Sequence, residues 1–133
     1  MEGIYSDYEN ILRTFTFLLM AQLTLNLIQG AISFNFSPEA AQTLKEEIDE
    51  LMMGLKAVLS QSVSGSRPKP QKAMEYTYVG EVCVELFCNP NIYPNPFGAK
   101  VLLTVKDDRI RMTTEAELTR VIEDLERYLK PVD

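Results

Sequence analysis

The stretch Phe15-Thr-Phe-Leu-Leu-Met-Ala-Gln-Leu-Thr-Leu-Asn-Leu-Ile28 decides how the chain is expected to fold. Ten of its fourteen residues are apolar. Placed at 100° per residue, they occupy nearly every azimuth. Phe15, Leu18 and Leu25 share one side with Ile11, while Met20, Leu23 and Leu27 lie opposite. A helix apolar all round is covered on several sides, whereas a surface helix shows a single stripe. The stretch therefore predicts a helix that needs more covers than one neighbouring helix supplies. A second copy of the chain or a partner is the expected extra cover.

No charge occurs from Thr14 to Pro38, a length that could cross a bilayer at ~20 residues per span. Gln22, Asn26 and Gln29 cluster on one side of such a helix, and Gly30 ends it. Lipid would leave those amides unsatisfied. No Lys or Arg cluster flanks the segment to orient it. A buried helix is the expectation, with membrane contact by residues 15–36 as the alternative.

Outward from this stretch, Ser6 and Glu9 have capping-box spacing, so the first helix is predicted from about Asp7 to Gln29. Ala31 to Phe36 is a linker or brief strand with Ile32, Phe34 and Phe36 on one side. Ser37-Pro38 begins a second helix, serine as N-cap and proline at the first helical position. Leu44, Ile48, Leu51, Met52, Leu55, Val58 and Leu59 form one stripe along it, opposite Lys45, Glu46, Asp49, Glu50 and Lys56. Ser62 to Ala73 is linker-like in composition and reads as a solvated tether.

The second half alternates with a period of two. Tyr76 to Phe87 is predicted as one strand, with Gly80 marking a bulge or a close backbone approach. Ala99 to Lys106 is a second strand, Val101, Leu103 and Val105 inward. Asp107-Asp108 is a turn, and Arg109 to Met112 returns with Ile110 and Met112 inward. Thr114 and Glu117 form another capping box, opening a helix to about Leu129. Its apolar face is Leu118, Val121, Ile122, Leu125, Tyr128 and Leu129.

The predicted fold is α+β, in the order α-α-β-β-β-α. An N-terminal antiparallel helical hairpin (residues 6–61) leads through a linker (62–74) to a three-stranded antiparallel sheet and a C-terminal helix (75–130). All of it belongs to one domain spanning 1–133, as the length suggests. Two runs, Lys106-Asp-Asp-Arg-Ile-Arg111 and Thr114-Glu-Ala-Glu-Leu118, make the segment from Lys100 to Tyr128 resemble small conserved cyanobacterial proteins. That resemblance implies a cytoplasmic setting in a photosynthetic bacterium and brings no activity with it.

Charge and composition exclude some functions. The net charge is −6, which disfavours nucleic acid, since phosphate contacts need an excess of Lys and Arg. There is no histidine, so histidine catalysis and ligation are excluded. Met-Glu-Gly-Ile-Tyr at the start lacks the basic region of a signal peptide. With two cysteines only, a reducing cytoplasm is expected.

Residues that could carry chemistry are few. Cys83 and Cys88 fall on opposite faces of one strand and form neither a redox pair nor a zinc site. Glu81 and Glu85 are a same-face carboxylate pair. Lys100, Lys106, Arg109 and Arg111 on adjacent strands make ion pairs their expected role. No phosphate loop, nucleophile elbow or metalloprotease pattern is present. No cofactor and no metal is expected. The run Asn89-Pro-Asn-Ile-Tyr-Pro-Asn-Pro-Phe-Gly98 is a stiff loop that either displays Tyr93 and Phe97 or folds them back as a core cap.

The expected function is a non-enzymatic assembly or regulatory factor. It would form a homodimer through the N-terminal helices and bind an unknown protein client. Leu19, Leu23, Leu27, Tyr93 and Phe97 are the candidate contact residues, with the outer sheet face as a further surface. A small enzyme or ligand sensor, with a pocket between helices and sheet lined by Tyr76, Tyr78 or Glu81, is the alternative.

Overall fold

The computed structural model describes residues 22–130. Its first element corrects the reading of the opening stretch. Gln22–Asn26 is a strand, β1, and it pairs antiparallel with β2, Ala31–Asn35. Leu23 stands opposite Phe34 and Leu25 opposite Ile32. From Gln22 onward in that stretch a helical period does not apply. At two residues per repeat, Leu23, Leu25 and Leu27 fall on one side and Gln22, Thr24 and Asn26 on the other. The leucines are buried, and the Thr24 and Ser33 hydroxyls meet at 2.7 Å on the exposed side. Gly30, at φ 92°, closes the hairpin, and the Leu27 amide donates to its carbonyl at 2.9 Å. The predicted start of the first helix and Leu19 lie outside the described residues.

The next helix, α1, spans Pro38–Val63. Ser37 caps it as expected, its hydroxyl accepting from the Ala40 amide at 3.1 Å. Ala41, Leu44, Ile48, Leu51, Leu55 and Val58 form its buried stripe. Gly65, at φ 80°, takes the left-handed position after the helix, where a side chain would be strained. The following connector is pinned rather than tethered. The Asn91 side chain accepts from the Gln71 amide at 2.7 Å and donates to the Gln71 carbonyl at 2.8 Å, as a paired strand would.

The sheet has four strands, not three. The segment predicted as one strand is a hairpin of β3, Met74–Val79, and β4, Cys83–Cys88. Gly80 stands at its turn, donating to the Val82 carbonyl at 3.1 Å. A Cβ on Gly80 would lie 2.6 Å from the Tyr78 hydroxyl, so glycine answers a close approach. β5, Lys100–Lys106, and β6, Arg111–Glu117, complete an antiparallel meander in the order β3-β4-β5-β6. Asp107 shapes the β5–β6 turn. Its carboxylate accepts from the Arg109 and Ile110 amides, both at 2.8 Å, which hold its pKa below the usual range.

β6 also corrects the second capping box. Thr114 and Glu117 belong to the strand, whose exposed residues alternate with half-buried and buried ones. Glu117 pairs with Lys100, and the Leu118 amide donates to the Ala99 carbonyl at 3.0 Å. Ladder bonds outcompete a cap there, and the last helix, α2, Leu118–Leu129, begins only where they end. Ile110, expected inward, is exposed in the turn.

Tyr76, Val84, Leu86, Cys88, Val101, Leu103, Val105 and Ala116 line the sheet's inner face. They share one core with the stripe of α1, with Leu118, Val121 and Leu125 of α2, and with the β1–β2 leucines and Phe34 and Phe36. A buried carboxylate fastens this hairpin to α2. Asp124, 4% exposed, accepts from the Asn26 amide at 2.8 Å, from its side-chain nitrogen at 2.9 Å and from Arg127 at 3.2 Å. The Tyr128 hydroxyl donates to the Phe36 carbonyl as a second fastening.

Asp124→Ala removes the acceptor for a part-buried amide 98 residues away in sequence. A loss of about 2 kcal/mol is expected, the cost of leaving such donors unpaired. Urea unfolding measures it; an unchanged midpoint would mean that the hairpin is held by packing alone. Gly80→Ala should cost about 1 kcal/mol, since the Tyr78 ring must move to admit the methyl. The same titration reads it.

Candidate functional site

Helices α1 and α2 join the inner face of the sheet, and among the described residues no element covers its outer face. Strand register arranges the outer side chains in rows. Glu75, Phe87, Leu102 and Glu115 form one row across β3, β4, β5 and β6. Thr77, Glu85, Thr104 and Thr113 form the next, followed by Val79, Cys83, Lys106 and Arg111.

Phe87 and Leu102 are direct cross-strand partners at the centre of this face, 41% and 45% exposed. Beside them is a shallow depression of about 260 Å³, bordered by Glu75, Thr77, Glu85 and Thr104. Thr104 is buried within the face, its hydroxyl 3.1 Å from that of Thr113. Glu85 is held by Lys106 at 3.1 Å, and Lys100 reaches Glu115 at 3.9 Å. Both pairs are partly exposed and worth little to stability. They leave Glu75 as the acid beside the apolar pair. Alternation along the strand puts Phe87 on the same side as Cys83 and Glu85, facing outward. Leu102 was the residue overlooked, although it falls between the outward Lys100 and Thr104.

The sequence-predicted contact residues do not come together. Leu23 and Leu27 are in the core, 1% and 9% exposed, and cannot meet a partner. Tyr93 packs against the core, and its hydroxyl donates to the Lys100 carbonyl at 3.2 Å. Of the described candidates only Phe97 projects, 85% exposed. The loop itself is ordered by asparagine side chains. Asn89 accepts from the Asn91 amide at 3.0 Å, and Asn95 from the Phe97 and Gly98 amides at 2.9 and 3.2 Å.

The carboxylate pair dissolves as well. Glu81 sits at the hairpin turn and accepts from the Asn35 side chain at 2.6 Å, away from Glu85. Among the described residues no group of three His, Cys, Asp or Glu is placed to hold a metal ion.

One hollow lies beside α1, and none of Tyr76, Tyr78 or Glu81 lines it. About 520 Å³ lies between α1 and the connector, lined by Glu47, Glu50, Met53, Gly54, Lys72 and Glu75 among others. One Glu47 oxygen there is buried and has no hydrogen-bond partner among the described residues. Tyr76 lies elsewhere, its hydroxyl donating to the Ala40 carbonyl at 3.3 Å. Among the described residues no helix is long and apolar enough to cross a membrane, and residues 22–36 form the hairpin and the approach to α1. Comparisons with protein-family models, curated proteins and solved structures find no match for the chain.

Two buried groups give the molecule an alkaline limit. Burial pushes the Cys88 thiol from 9.0 up to about 11. Burial, then the nearby Glu47 and Tyr78, pushes the Tyr76 hydroxyl from 10.0 up to about 12. Each holds its proton more tightly folded than unfolded. The stability they contribute is full below about pH 9 and is lost as pH rises through 11 and 12. Denaturation midpoints should fall across that window, and Cys88→Ala should flatten its lower part. At pH 8 an alkylating reagent should label Cys83 alone until the protein is unfolded, read by mass spectrometry. Prompt double labelling would contradict the burial of Cys88.

Proposed function

We propose that the protein is a non-enzymatic assembly or regulatory factor that binds another protein on the outer face of its sheet. The observation that carries this reading is the Phe87–Leu102 pair. Two large apolar side chains stand side by side at the centre of a sheet face that neither helix covers. Single exposed apolar residues are ordinary, but a paired apolar centre with a charged rim is the anatomy of an interface. The occupant that fits is a segment with one apolar anchor and a basic residue beside it. The anchor fills the depression between Phe87 and Leu102, and the base meets Glu75. The acidic net charge favours approach of such a segment.

A photo-crosslinking residue at position 102, compared with one at Lys56 on the polar side of α1, tests this in the native host. A single adduct of defined mass is expected at 102 and not at 56, lost on Phe87→Glu with the thermal midpoint unchanged. Equal adducts at both positions, or adducts indifferent to Phe87→Glu, would refute docking on this face.

A further inference from the structure

β6 is an edge strand. Among the described residues it pairs only with β5. Edge strands expose unpaired backbone groups, and proteins usually blunt them with proline, lysine, a bulge or brevity. β6 has no proline, lysine or bulge and runs seven residues as Arg-Met-Thr-Thr-Glu-Ala-Glu; the device it does carry is charge, at Arg111, Glu115 and Glu117. The other edge, β3, offers no comparable pattern, with Glu75 its one charged residue.

The charges of β6 are ordered along it. On the outer face Arg111 comes first, Thr113 is central, and Glu115 and Glu117 follow, all four exposed. A strand basic at one end and acidic at the other complements itself when turned end for end. We propose that a second copy of this chain pairs with β6 along the edge that faces away from β5, antiparallel about a two-fold axis at Thr113.

In that register Arg111 of each copy lies directly opposite Glu115 of the other, giving two cross-strand ion pairs. Thr113 meets its own copy. On the inner side Met112 faces Thr114. Ile110, 70% exposed in the turn, falls beside Ala116. Sliding the pair by two residues sets Glu115 against Thr113 and leaves Arg111 with Glu117 alone. Parallel pairing sets Arg on Arg and Glu on Glu, which cross-strand neighbours disfavour. Lys100 does not compete strongly for Glu115, being 3.9 Å away with both side chains about half exposed. The product is an eight-stranded sheet with two Phe87–Leu102 pairs on one continuous outer face. This homodimer uses the sheet edge, not the N-terminal segment from which one was first expected, and stands independently of the client reading.

Sedimentation at about 100 µM, well above the constant of a micromolar complex, is the test. Twice the 15.1 kDa chain mass is expected. Arg111→Glu alone and Glu115→Arg alone should each weaken the dimer about tenfold or more, since two attractive pairs become two like-charged ones. Mixing the two single variants, or combining both changes in one chain, should restore it. Thr113→Cys in a Cys83→Ser background should oxidise to a covalent dimer, because directly opposed residues lie about 4.5–5.5 Å apart. Phe87→Glu should leave the dimer intact, which separates this proposal from docking on the outer face. A wild-type monomer would overturn the proposal. So would single variants that stay dimeric, or a dimer lost on Phe87→Glu but kept on charge reversal.

Discussion

Among the described residues the sheet is covered from one side only, and the rest of what is described follows from that. Inward residues of β3, β4, β5 and β6 are almost all apolar and meet the stripes of α1 and α2. Burying one such side chain contributes about 1.5–3 kcal/mol, so eight of them commit the inner face to the core. The outer face must then carry its own solution to water. It does so with threonines, two ion pairs and the rim charges, except at the central Phe87 and Leu102 and at Val79 on the β3 edge.

The β1–β2 hairpin depends on the same core from a different direction. Its leucines and phenylalanines enter beside α2, yet it is a separate two-stranded sheet. An isolated hairpin is marginal in water. Here Asp124 supplies a charged acceptor to the Asn26 backbone amide, and Tyr128 binds the Phe36 carbonyl. Polar fastening and apolar burial act on one small element, which is why a carboxylate is tolerated at 4% exposure.

Local signals read well where one period stood alone. Ser37-Pro38, the stripe of α1, the alternation of β5 and the face of α2 all appear in the molecule as the residues suggested. They failed where two periods competed. Gln22 to Leu27 alternates strictly, but a dense apolar run before it gave helical azimuths a false weight. Gly80 was seen as special, yet a turn and a bulge leave the same mark when the residues on both sides alternate. Thr114 and Glu117 have cap spacing, but the ladder to β5 carries them on as strand. The candidate face was half legible. Parity exposes Phe87, and only strand register, a long-range property, sets Leu102 against it. The expected pairing of Glu81 with Glu85 failed for the same reason, because a turn separates them.

Tyr93 and Phe97 show how one stiff loop divides its labour. The asparagine-capped turns hold the chain so that Tyr93 folds back on the core while Phe97 stands in water. Its order comes from asparagine side-chain bonds within the loop and from those of Asn91 to Gln71.

Hydroxyl-radical footprinting of Phe87, in the purified protein and in native extract, tests the central claim most directly. An open outer face that serves as a docking surface predicts strong oxidation of Phe87 in the purified protein, beside an unreactive Tyr76, and protection of Phe87 in the extract. Oxidation of Phe87 that is equal in both, or absent from the purified protein, would contradict it.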